Sequence, residues 1–176
     1  RYIWADYFNN IGGGYAGVGS DQNYDFISVA KSQWAWLYDY DPNVYRLHQI
    51  LKPMILQAES PEAFLELFEG KNIKSTSALI NDYYKDKPSL DQKKLVRFFT
   101  GYRKKLSGHY NRSKKPIKAM PSFGWLTNPE HYAYIRTMHQ QDRIIAVAGD
   151  MLANNGLRSI GDAAKEMGIP IRIFYT

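Results

Sequence analysis

Gly17-Val18-Gly19 closes a short apolar stretch and runs into the polar turn Ser20-Asp21-Gln22-Asn23. Glycines at that spacing let a backbone approach a ligand closely. A helix starting at the polar turn would add free amides and the positive end of its dipole. Asp39 lies 20 residues after Gly19, close to the spacing at which an acid meets ribose hydroxyls. Asp150, beside Gly149 at the end of a later apolar run, faces the same edge. Gly17, Gly19, Asp21, Asn23 and Asp39 are therefore the candidate cofactor-binding residues, and Asp150 is the candidate catalytic one. Gln22 stands where the third glycine of a G-x-G-x-x-G turn would be, and Asp21 puts negative charge where a phosphate would lie. Both features favour a cationic or zwitterionic nucleoside-type ligand over a dinucleotide, and S-adenosylmethionine has both properties. The same residues also read as tight-turn glycines, with Asp39 and Asp41 capping the next helix.

Other chemistry is thinly represented. The sequence has no cysteine, which removes disulfides, thiolate metal sites and cysteine nucleophiles together. His48, His109, His131 and His139 form no metal-ligand spacing, and His131 and His139 read as surface or core histidines. No G-x-S-x-G elbow marks a serine hydrolase. The formal net charge of +6 is concentrated: Arg103, Lys104, Lys105, Arg112, Lys114, Lys115 and Lys118 share a stretch without an acid. Tyr110 lies among these cations and Phe123 and Trp125 follow, a mixture able to bind phosphates and stack on bases. The plainer reading is a solvated helix end and a mobile loop, or a lid over the ligand site.

The elements that must position these residues are marked by apolar runs. The periodicity predicts strands over 15–19, 34–39, 143–148 and 170–175, with the first two and the last two parallel. Continuous runs such as Gln33-Trp34-Ala35-Trp36-Leu37-Tyr38 suit strands covered on both faces, and Trp34, Trp36 and Phe174 read as core. Helices are predicted over 24–31, over 42–58 behind Pro42, after Ser60-Pro61, after Asn128-Pro129 and over 157–167 before Gly168. Ser89 with Gln92 reads as a capping box for a helix carrying Leu95, Phe98, Phe99 and Tyr102. Gly108, Pro116, Pro121 and Gly124 predict an irregular loop over 107–126. No third strand is evident between 58 and 142.

Gly17-Val18-Gly19-Ser20-Asp21-Gln22-Asn23, Leu37-Tyr38-Asp39 and Val147-Ala148-Gly149-Asp150 together resemble a little-characterised bacterial family. Its pattern is a GVGPEQN-like turn, a VD ending strand two and a VGD-like segment before the last crossover. Some of its members are labelled as lipoproteins. Ser20-Asp21 departs from its Pro-Glu, and Asp41 stands where the family has Arg. The resemblance implies a fold similar to class I S-adenosylmethionine-dependent methyltransferases.

The expected fold is thus an α/β three-layer sandwich, a doubly wound, mainly parallel Rossmann-like sheet in a single domain spanning 1–176. Residues 58–142 would form a helical insertion or cover. Arg1 in place of an initiator Met suggests a trimmed piece of a longer protein. No apolar run approaches the ~18 residues of a membrane helix, so a soluble chain is expected; its compartment stays open, with the cytoplasm slightly favoured. Two functions follow from different classes. One is a methyltransferase, or a ligand-binding relative, with Gly17, Gly19 and Asp21 at the amino-acid end, Asp39 at the ribose and Asp150 facing the acceptor. The other is a non-catalytic module using the basic 103–118 stretch for nucleic acid or an acidic partner.

Overall fold

The computed structural model describes residues 3, 5–87, 90–116, 118–119, 123–150, 153 and 156–176. The apolar runs are strands: β1 (Gly14–Val18), β2 (Trp34–Asp39), β3 (Ile144–Ala148) and β4 (Ile171–Tyr175). They form one all-parallel sheet in the order β3-β2-β1-β4. Parallel neighbours need a crossover rather than a tight turn. A short helix, α1 (Ala5–Phe8), precedes β1, and α2 (Gln22–Ala30) carries the chain from β1 to β2. β3 and β4 share a direction but not a ladder. They occupy opposite edges, and the chain order reverses between β1 and β4.

Side chains alternate across the pleat with period two. Tyr15, Ala35, Leu37 and Ile144 join the larger core, whereas Ala16, Trp36 and Tyr38 point to the opposite face. There they pack on Ile160 and Ala164 of α8 (Gly156–Glu166), the crossover from β3 to β4. Two covered faces explain why β1 and β2 read as apolar almost without interruption. Phe174, expected in the core, is 53% exposed. It sits on the edge strand β4, which has a neighbour on one side only.

The larger core lies under helices. α3 (Pro42–Gln57) packs on β2 and β3, and α7 (Pro129–Gln140) packs on α2 and α3. α4 (Pro61–Glu66), a 3₁₀ turn at Gly70–Asn72, α5 (Ile73–Tyr83) and α6 (Gln92–Ser113) complete the cover. Among the described residues between 58 and 142 there is no strand, as expected. Three of these helices begin alike. Asp41, Ser60 and Asn128 each accept a backbone N–H two or three residues on, with proline next in line. Proline fits there because its missing N–H has no partner in the first turn anyway.

α6 corrects the sequence reading twice. Its cap is Asp91, which accepts the Lys94 N–H at 3.0 Å; Ser89 lies outside the described residues. The helix also runs through Gly108 to Ser113, so the first third of the expected loop is helical. A glycine inside a helix is only mildly unfavourable. Tyr110, buried against Phe64, Phe68 and Trp125, supplies the packing that outweighs it. Residues 123–126 are an irregular turn, as expected, and are buried, with Gly124 at φ +119°.

Candidate functional site: a charged cleft beside the first strand end

The turn after β1 is knitted from within. Tyr15 donates its hydroxyl to Asn23 Oδ1 at 2.5 Å, and Asn23 Nδ2 donates to Ser20 O at 2.7 Å and Val18 O at 3.2 Å. Gly17 faces this amide: a Cβ there would lie 2.3 Å from Asn23 Oδ1 and 2.5 Å from the Tyr15 ring. Gly17 is thus small because side chains fill the space above it. Gly19 has φ +98°, a conformation that side chains oppose, and its carbonyl accepts from His48 Nε2 at 3.0 Å. With that proton on Nε2, His48 Nδ1 accepts the Tyr24 hydroxyl at 3.1 Å. Burial lowers the His48 pKa, against the raising effect of the Gly19 carbonyl.

Asp21 follows this turn and is buried, with Oδ2 3.2 Å from His109 Nε2. Asp25, one turn further along α2, accepts the Trp125 backbone N–H at 3.0 Å. These contacts close one wall of a cleft of about 340 Å³, whose other walls include Arg112 and Lys115. The arrangement is bipolar. Two carboxylates from the start of α2 face cations from the end of α6, with Phe123 and Trp125 at the back.

The other sequence candidates are placed nearby but outside this lining. Asp39 ends β2, where its Oδ1 accepts the Asp41 N–H at 2.8 Å in an Asx turn. Asp41 accepts the Asn43 N–H at 2.8 Å and caps α3. Asp39 pairs in register with Ala148, and the Gly149 N–H donates to the Asp39 carbonyl at 3.0 Å. Exposed Asp150 therefore stands beside Asp39, at the adjacent strand end. The strand ends bring Asp21, Asp39 and Asp150 to one edge of the sheet, but only Asp21 enters the cleft. Asn23 is buried and braces the β1–α2 turn.

The basic stretch is divided by the fold. Arg103 donates to the Phe68 carbonyl, Lys114 pairs with Glu62 at 2.5 Å, and Arg112 and Lys115 line the cleft. Lys104, Lys105 and Lys118 are exposed. Phe123 and Trp125 are each only 2% exposed, so neither offers a face on which a base could stack. Sequence reasoning missed His109, Asp25 and Trp125 as cleft residues.

A capping role for Asp41 predicts a modest, local effect. Asp41→Ala should lower stability by ~0.5–2 kcal/mol, read by urea melts, with the fold retained. Unchanged stability would show that the cap is dispensable.

Fold and cleft together define a parallel α/β protein with a charged cavity beside the end of its first strand. The chain belongs to the family described as a domain of unknown function, DUF7790, which matches residues 1–176. No curated protein matches it. Among the described residues no helix is long and apolar enough to cross a membrane, and no group of three acidic or histidine side chains is arranged to hold a metal.

Proposed function

We propose that the chain is a class I methyltransferase-like protein with a Rossmann-type sheet, binding S-adenosylmethionine with its amino-acid end in the α2–α6 cleft. The observation that carries this reading is the cleft's bipolar lining at the carboxyl end of β1. In open parallel sheets ligands bind outside the strand ends where strand order reverses, and here it reverses between β1 and β4. An α-ammonium group suits Asp21 and Asp25, and an α-carboxylate suits Arg112 and Lys115. Asp39 would meet the ribose from the neighbouring strand end, and Asp150 would face the methyl acceptor. The bound cofactor supplies the electrophilic methyl group. The chain's own residues would act by holding the two reactants in line, which needs no nucleophilic side chain.

Isothermal titration with S-adenosylmethionine, S-adenosylhomocysteine and adenosine tests the proposal. The first two should bind with one site and adenosine more weakly, since it lacks the amino-acid end. Asp21→Asn should weaken the first two about tenfold or more, the effect of removing a charge-assisted contact, and leave adenosine unchanged. Asp39→Ala should weaken all three. Absence of heat and of any thermal shift would overturn the reading, because a ligand held by the native state must raise apparent stability. Salt-sensitive binding of nucleic acid, lost when Lys104 and Lys105 are neutralised, would then favour the binding-module alternative.

A further inference from the structure

A second cavity of about 340 Å³ lies along the flank of β3, where α3 and the end of α7 meet Tyr84, Lys87 and Leu90. His139 lines it. This imidazole is 3% exposed, and neither ring nitrogen has a hydrogen-bond partner among the described residues. Such a group in a packed interior is a donor and an acceptor left waiting. Lys52 and Lys87 also line the cavity, as does Asp142, the partner of Lys52. The Lys52 side chain is only 17% exposed and that of Asp142 is 79% exposed, so the ammonium is tucked inward while its carboxylate faces water. The pair is weakly held from one side, as exposed ion pairs are.

The rest of the lining is mostly apolar or aromatic, with Leu90, Ile144, Ile145, Ala146 and the rings of Tyr45 and Tyr84, and its remaining polar members are His48 and Gln49. β3 is an edge strand here. Ala35 donates to the Arg143 carbonyl and Gly149 donates to that of Asp39, so residues 143 and 149 face β2. The alternation turns the peptide groups of Ile144 and Ala146 toward the outer edge.

We propose that this cavity is a second small-molecule site, one that takes an organic monoanion: a carboxylate on an apolar body. Two lysines against one aspartate leave a single positive charge, which matches one carboxylate and not a dianion. The carboxylate meets the Lys52 ammonium and the His139 N–H, and the apolar body lies against Leu90, Ile144 and the tyrosine rings. His139 serves as a neutral donor, because burial and the neighbouring Lys52 oppose its protonation. The site does not depend on the methyltransferase reading, since none of the α2–α6 cleft residues contributes to it.

The test uses the full chain, with benzoate as probe and benzamide and inorganic phosphate as controls. Long-range proton–nitrogen spectra report the His139 imidazole directly. Benzoate should shift the His139 signals saturably, and benzamide and phosphate should leave them in place. Lys52→Met should weaken benzoate roughly tenfold or more, as loss of a charge-assisted contact does. Its folding is checked by circular dichroism. Asp21→Asn should leave benzoate binding intact. His139 signals that ignore benzoate, or that respond equally to benzamide, would overturn the proposal. So would phosphate binding as tightly as benzoate, or benzoate binding unaffected by Lys52→Met.

Discussion

Trp125→Ala is expected to lower stability by ~3–5 kcal/mol, the range for removing a large aromatic side chain from a core. Trp125 is among the largest fully buried side chains. It stacks on Tyr132 with centroids 5.9 Å apart and meets Tyr24, Phe64 and Tyr110 edge-on at 5.2, 5.2 and 6.2 Å. Such pairs contribute beyond their buried area, and so many around one indole leave little that can collapse into the hole. The change should also loosen the cleft, because the indole lines it beside the backbone N–H that Asp25 Oδ1 accepts. Trp125→Phe, which keeps a ring among these aromatic neighbours, should recover most of the loss. Urea melts of the three proteins decide the matter. A loss below 1 kcal/mol for the alanine variant would mean that residues 123–126 are not integral to the core.

The contrast between what was legible and what was not follows sequence separation. β2 was readable because Trp34 to Tyr38 is a continuous apolar run, and a strand buried on both faces needs nothing else to declare itself. α3 and α7 were readable from Asp41-Pro42 and Asn128-Pro129, since a cap acts within one turn. The positions of Asp21, Asp39 and Asp150 at strand ends were legible for the same reason: each lies within three residues of the end of a strand. The cleft was not legible. His109 meets Asp21 across 88 residues and Trp125 meets Asp25 across 100, and no local pattern encodes either meeting. The helical course of 107–113 was missed for the same reason. Gly108 is a local loop signal, but Tyr110, two residues on, is held by ring contacts from Phe64 and Phe68 that outweigh it. The bracing of the turn by Asn23 was not legible either, although its partner, Tyr15, lies in the strand it follows.

Stability should fall steeply on acidification below about pH 6.5, through histidines that are buried neutral. Burial pushes His139 down to about 3, helped by Lys52 and His48. Burial also lowers His48, and burial with Lys31 lowers His131. In the unfolded chain an imidazole titrates near ~6.5. Above that pH both states are neutral and His139 contributes no pH dependence. Below it the unfolded state takes up a proton that the native state refuses, so acid favours unfolding until the folded value near 3 is reached. Within that window each fully refusing histidine removes ~1.4 kcal/mol per pH unit. Between pH 6.5 and 4.5, His139 alone should therefore remove roughly 2–3 kcal/mol, a large share of the ~5–15 kcal/mol typical of a domain. Urea melts at successive pH values should show this slope, and His139→Leu should flatten it by about one proton's worth. Should the leucine variant fail to fold, the wild-type imidazole answers the same question: its nitrogen signals should stay those of a neutral ring at pH 5. A ring that protonates near pH 6 in the folded protein would show that water reaches His139 freely, and the acid sensitivity assigned to it would disappear.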